Sequence, residues 1–312
     1  MAKEMKMTKV EKRDALTRIK KFVIGLFLNI PLWIFSLTCI FPLIWMGYSS
    51  LKLKREFNAD PIGLPKEIKW PWAVEEGTKH SFSNYHDLLT NADYDLPSSI
   101  MNSVYVTICS VFFIVLFGFI VGYILSRVKF KLNRPMYLMF LMGMLIPIHS
   151  LLVPIYIVFR NVPIGENGLI GQWYTLVIPY VAFGLPMAIF LVEGFVKGIP
   201  TALEEAAAID GSSFSRTLFS IIMPICRPIM VTVGIINIFS CWNEFSFALV
   251  LQFNAKAYWT VPLALTQFTG QFSSDFPKIM TALLLTMAPI VIIYFVFSKQ
   301  IIKGMVAGAV KG

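Results

Sequence analysis

Histidine is scarce in this chain: three in 312 residues, with His80 and His86 in one polar stretch and His149 by itself in an apolar window. An embedded enzyme needs convergent nucleophile, base or metal ligands, and this distribution does not supply them. The four cysteines, Cys39, Cys109, Cys226 and Cys241, lie within or beside apolar runs and show none of the short spacings used for zinc, so packing is their expected role. No GxxxxGK[ST] segment occurs, which excludes ATP binding through the usual phosphate loop. No internal repeat or low-complexity tract is visible, which points to one domain. The most telling deficit is charge. Only 14% of residues are charged and 56% are hydrophobic, whereas an ordinary globular domain approaches about a quarter charged.

What is present is a succession of apolar windows, each about 20 residues long, the length a helix needs to cross about 30 Å of hydrocarbon. Six are readable: Phe22 to Gly47, Val104 to Leu125, Met136 to Phe159, Trp173 to Phe195, Ile222 to Leu251 and Met280 to Ser298. Helices are the solution there, because every backbone donor must be paired within the segment. An all-α polytopic membrane protein with six transmembrane helices is the expected fold.

The basic segment 1–21 precedes the first window, which ends without a small-residue cleavage site and reads as a retained span. Within it, Lys9 to Phe22 has the spacing of a short amphipathic helix lying on the membrane, with a solvated charged tail as the alternative. Of 27 Lys and Arg, 18 fall on the side of the two termini, which predicts both termini in the cytoplasm and a multi-pass chain in a bacterial-type plasma membrane. The net charge of +9 then lies beside anionic lipid headgroups, and a nucleic-acid partner has no support. Residues 48–103 turn polar and form an external loop inside the 22–312 membrane domain.

Prolines at 31, 42, 147, 154, 179, 186 and 289 predict irregular spans, and Gly118 with Gly122 predicts a close helix contact. The connection 195–221 is longer than two neighbouring helices require. Pro200 can start a helix over Thr201 to Ile209, Glu204 and Glu205 suit its first turns, and Ala206 to Ala208 have high helix propensity. Asp210 and Gly211 make a turn, and Ser212 or Ser213 can cap a second helix that climbs to Pro224.

Glu205-Ala206-Ala207, three residues, Gly211, nine residues, then Ile221-x-x-Pro224 resembles the EAA signature of permease subunits in binding-protein-dependent ABC importers. Met223 stands where leucine is usual, a volume-conserving change. Further stretches are similar to the carbohydrate branch, and specifically to the smaller maltose-type permease partner. They are SLK from Ser50, NY from Asn84, NS from Asn102, LSR from Leu125, LPMAIFLVEGF from Leu185, CWNEFSFALVL from Cys241 and the ending AGAVKG.

The resemblance implies the type I importer permease fold with a cytoplasmic coupling helix, and no catalytic site, metal or cofactor in this chain. ATP and Mg would be bound by a dimeric cytoplasmic ATPase, with a second permease subunit in a heterodimer and an extracellular solute-binding protein as further partners. It implies that Glu204, Glu205, Ala206, Ala207, Asp210, Gly211 and Pro224 couple to the ATPase, with the carboxylate of Glu205 orienting or anchoring the helix. It also implies that Gly308, Lys311 and Gly312 of the tail 299–312 enter the ATPase cleft.

Trp242, Asn243 and Glu244 interrupt the fifth window with polar groups, as translocation-path residues or interhelical hydrogen-bonders. Import of a sugar or oligosaccharide by alternating access is the expected function. A non-sugar solute, or an ion-coupled secondary carrier, are the alternatives; a carrier would more often show paired halves or several intramembrane carboxylates.

Overall fold

The computed structural model describes residues 9–71, 79–268 and 275–309, with side chains described over 25–71, 79–268 and 275–300. The described residues are helical or irregular, and the chain divides into two units, Met1–Asn84 and Tyr85–Gly312.

In the first unit, α1 (Lys9–Ser49) runs unbroken through Pro31 and Pro42. The stretch expected as a surface helix and the first span therefore share one helical backbone. Leu26, Trp33, Phe35 and Ile44 are all exposed, and apolar exposure around a whole helix is what a lipid-facing span requires. After α2 (Lys54–Ala59) the chain returns through a polar loop to Asn84. Asn84 Nδ2 donates to the carbonyls of Ser50 and Lys52, 3.1 Å each, so the SLK and NY stretches hold each other. Lys52 is fully buried, donates to the Asp60 carbonyl at 2.7 Å and lies over the Tyr48 and Phe57 rings.

The second unit is built on α4 (Leu96–Arg127), which follows α3 (Ser83–Thr90). At 1.5 Å per residue its length is about 48 Å, more than a bilayer core demands. It is followed by α5 (Asn133–Gly143), α6 (Ile148–Asn161), α7 (Val177–Val196) and α8 (Ala202–Ile209). The return begins with the one-turn α9 (Phe214–Arg216), a π turn over Thr217–Ile222, and α10 (Met223–Ile225). Then come α11 (Arg227–Trp242), α12 (Ser246–Gln252), α13 (Val261–Ala264) and α14 (Phe276–Ala309).

Among the described residues four helices are long and apolar enough to cross a membrane: Gly25–Ser49 within α1, then α4, α7 and Phe276–Gln300 within α14. The third and fifth windows are bent pairs instead of straight helices. Asn133–Gly143 and Ile148–Asn161 meet at 101°, and Phe214–Ile225 and Arg227–Trp242 at 74°. Pro147 caps α6 at the first bend, and Pro224 and Pro228 flank Cys226 at the second, so backbone donors are missing where the ladder breaks.

The core lies where α4, α7 and α11 meet around Ile114, Phe119, Ala188, Val192 and Val233. Glycine sets the approach. A Cβ on Gly118 would lie 2.6 Å from that of Ala188, one on Gly122 2.9 Å from that of Val192, and one on Gly184 2.5 Å from Ile114 Cδ1. Without hydrophobic drive between helices in lipid, such contact is gained by small residues that let backbones close in. Gly118→Ala is expected to cost about 1–3 kcal/mol through overpacking. Thermal unfolding of the solubilised protein checks this, with Gly194→Ala, whose methyl meets nothing within 4 Å, as the neutral control.

Candidate functional site

Pro200 precedes α8, Glu204 and Glu205 occupy its first turn, and its alanines sustain it to Ile209. The ending is a Schellman motif. Gly211 takes φ +75°, its N–H donates to the Ala208 carbonyl at 3.0 Å, and Ser212 N–H donates to the Ala207 carbonyl at 2.9 Å. Only glycine reaches that backbone region without strain. Space around Gly211 is open, so a side chain there would be penalised by backbone conformation alone. Ser213 then caps the next turn by accepting from Arg216 N–H at 3.4 Å. Gly211→Ala is expected to cost about 1–2 kcal/mol locally and Gly211→Pro more. Faster hydrogen exchange of the Ser212 amide is the measurement.

The helix has two faces. Glu204 and Ala207, three residues apart, turn inward, with Ala207 buried. Leu203, Ala206 and Ile209 form the opposite stripe, and Ile209 is 86% exposed. The inward face is tied to the end of α4: Arg127 Nε lies 2.8 Å from Glu204 Oε1, with side chains only 13% and 19% exposed, and Arg127 Nη2 donates to the Ile199 carbonyl. The Tyr123 ring, one turn earlier on α4, meets Phe214 at 5.8 Å. The carboxylate paired with α4 is Glu204, the residue before Glu205. The Glu205 carboxylate is exposed and has no ion pair or hydrogen bond among the described residues, because it sits about 100° further round the helix.

The climb from this loop passes through the π turn before Pro224. Proline lacks an N–H and its ring crowds the carbonyl four residues back, which the wider π register accommodates.

A second constellation surrounds the gap between α11 and α12. Glu244 Oε1 accepts from Phe247 N–H at 2.8 Å, while Oε2 accepts from Ala248 N–H at 3.3 Å and from Tyr180 O–H of α7 at 2.9 Å. The carboxylate therefore caps α12 and bolts it to α7. Trp242 is buried, and exposed Asn243 donates back to the Phe239 carbonyl. His149 is brought alongside, its Nε2 3.5 Å from Ser246 Oγ, so the gap between α5 and α6 faces the gap between α11 and α12.

Residues 114–306 match the family described as binding-protein-dependent transport system inner membrane component. The chain belongs to that family. It is thus an ABC transporter permease, a non-enzymatic membrane subunit. It is 42% identical over 211 residues to a putative ABC transporter permease protein ORF2 of Caldicellulosiruptor sp., covering 68% of this chain and 74% of that one. It is 31% identical to the probable starch degradation products transport system permease protein AmyC of Thermoanaerobacterium thermosulfurigenes, over 94% of this chain and 98% of that one. In fold it is similar to a chain of a bacterial ABC transporter involved in the import of the acidic polysaccharide alginate, with TM-score 0.68, 19% identity and coverage of 90% and 97%.

Within this permease the short stretches quoted from the sequence acquire partners. Asn102 Nδ2 donates to the Ala257 and Trp259 carbonyls, and Ser103 Oγ accepts from Val261 N–H at 2.8 Å. Arg127 of LSR is the ligand of Glu204, a pairing across 77 positions that no local signal discloses. Gly308 lies near the end of α14, and Lys311 and Gly312 lie outside the described residues.

Proposed function

We propose that this permease is the membrane-spanning subunit of an ATP-driven importer that takes up a sugar or oligosaccharide delivered by an extracellular binding protein. The observation that carries the substrate class is the near end-to-end likeness to AmyC, a permease named for starch degradation products. A trehalose transport permease, SugB of Mycobacterium tuberculosis, at 30% identity over 88% of this chain, supports the same class.

The chain crosses the membrane six times in this reading, the two bent pairs each counting as a span, with both termini and the 195–221 loop in the cytoplasm. The segment α8 is the coupling helix. Its exposed Leu203, Ala206 and Ile209 stripe fits a groove on a dimeric ATPase, which binds ATP and Mg, and the tail with Gly308, Lys311 and Gly312 reaches the same partner. A second, different permease subunit completes the path. Closure of the ATPase pushes α8, the Arg127–Glu204 link carries the push into α4, and α9, the π turn and α10 carry it into α11. The facing gaps at His149 and Ser246 are where α6 can change angle against α5, and α12 against α11, with few backbone bonds to break. Glu244, with both oxygens engaged inside its own chain, is scaffold in this reading, beside Trp242 and Asn243 on the path.

The decisive experiment purifies the chain with its partners and measures ATP hydrolysis with binding protein plus each of a set of oligosaccharides. Stimulation by at least one, and its loss without binding protein, is the expected result. Stimulation only by amino acids or ions would overturn the sugar assignment.

A further inference from the structure

The connection from α4 to α5 reads Arg127-Val-Lys-Phe-Lys-Leu-Asn-Arg134, basic and apolar residues in alternation at the ends of two spans. Val128, Phe130 and Leu132 are exposed, as are Lys129, Lys131 and Arg134. Asn133 Nδ2 donates to the Leu125 and Val128 carbonyls at 2.9 and 2.8 Å, which pins this connection as one wall of a cleft of about 560 Å³. The end of α7 forms the other wall with Glu193 and Lys197. That volume is in the range of small-ligand sites.

The charge of the cleft is one-sided. Lys129, Lys131, Arg134 and Lys197 line it against a single carboxylate, Glu193, which is 4% exposed and already engaged by Lys197. Among the described residues Lys129, Lys131 and Arg134 have no carboxylate partner. The lining also includes Ser126, whose buried hydroxyl has no hydrogen-bond partner among the described residues. From the cleft outward α5 exposes Met136, Leu138, Met139 and Met142, a wall suited to acyl chains.

We propose that this cleft binds the phosphodiester headgroup of an anionic phospholipid, whose acyl chains run along α5. A free anion would have no use for the apolar wall or for the exposed Val128, Phe130 and Leu132 between the lysines. An acidic segment of a partner protein would meet the same cations but would leave the apolar residues that alternate with them, and the α5 wall, uncovered. Lys197 stands five positions before α8 begins at Ala202, so an occupied cleft braces the root of the α8 loop. That bracing implies a dependence of ATP hydrolysis on anionic lipid, and this consequence alone rests on the function proposed above.

The test uses the whole importer complex, extracted into micelles holding phosphatidylcholine and phosphatidylglycerol in equal parts, with co-retained lipid read by native mass spectrometry. The wild type is expected to retain phosphatidylglycerol selectively. Each neutralised cation is expected to lower that retention about fivefold, so Lys131→Gln gives a measurable loss and Lys129→Gln/Lys131→Gln/Arg134→Gln abolishes the selectivity. Lys54→Gln/Lys66→Gln/Lys69→Gln, removing the same charge from the long loop, should leave it intact. Equal retention in all variants, or no selectivity in the wild type, overturns the site. Displacement of the lipid by inorganic phosphate overturns it in favour of a soluble anion. Loss of the ATPase from the triple variant with unchanged lipid selectivity overturns it in favour of protein docking. Retention is read without transport, so a complex that keeps phosphatidylglycerol yet is stimulated by no sugar refutes the functional proposal alone.

Discussion

Glu204→Ala is expected to leave the chain in the membrane while sugar-dependent ATP hydrolysis and transport fall by about tenfold or more. The cause is the geometry at the end of α4. Arg127 is 13% exposed and meets Glu204 Oε1 at 2.8 Å, so truncating the glutamate strands a nearly buried guanidinium with the Ile199 carbonyl as its remaining acceptor among the described residues. Removing one partner of a buried pair costs about 3 kcal/mol or more, and here the cost falls on the seat of α8. Arg127→Lys keeps the charge but loses the planar fork that serves Glu204 and Ile199 together, and should give an intermediate loss. Glu205→Ala is the informative neighbour. Its side chain is exposed and holds nothing among the described residues, so thermal stability should be unchanged and any loss should show as weaker association with the ATPase. Transport at wild-type rate by Glu204→Ala, with hydrolysis still sugar-dependent, would refute the view that this pair transmits the push.

The contrast between those adjacent glutamates marks what the sequence discloses and what it withholds. Local chemistry is legible: an acidic first turn, three alanines, Asp-Gly and a serine cap predicted α8 and the turn that ends it, because every one of those bonds closes within six residues. Hydropathy likewise located the four long apolar helices, since a bilayer leaves the backbone one open-ended option. The breaks were only partly locatable. Pro147 stands at the first bend, but the apolar composition through 143–148 and 242–246 does not show where the helices stop. Nor does any local pattern say that Arg127 reaches Glu204, that Tyr180 reaches Glu244, or that Lys52 is fully buried with its ammonium on a carbonyl and two rings. Those pairings join residues that only packing brings together, or reverse the usual fate of a lysine. The same packing made Gly118 and Gly122 readable as a contact surface but left Gly184, without a partner glycine four residues away, unnoticed.

Glu244→Ala is expected to lower assembly and the transport of every accepted sugar alike, and Glu244→Gln to restore most of both. Alanine leaves three donors without their acceptor: Phe247 N–H, Ala248 N–H and Tyr180 O–H. Each unsatisfied buried donor costs about 1–3 kcal/mol. Glutamine loses less. Its carbonyl oxygen can keep the 2.8 Å bond from Phe247 N–H, and its amide can donate to a Tyr180 hydroxyl that turns to accept. Only the 3.3 Å bond from Ala248, the longest of the three, has no substitute. Tyr180→Phe removes a single bond and should cost about 1 kcal/mol, a loss of stability with sugar preference unchanged. The gap between α11 and α12 also faces His149, so a carboxylate that contacted sugar would behave differently. Glutamine would then preserve assembly and shift the ranking of oligosaccharides, because a hydroxyl that donated to a carboxylate oxygen would meet an amide N–H instead. Stimulated ATP hydrolysis across a panel of oligosaccharides, compared among Glu244→Ala, Glu244→Gln and Tyr180→Phe, separates the two. A Glu244→Gln complex that assembles normally and favours a different sugar would place this carboxylate on the transport path.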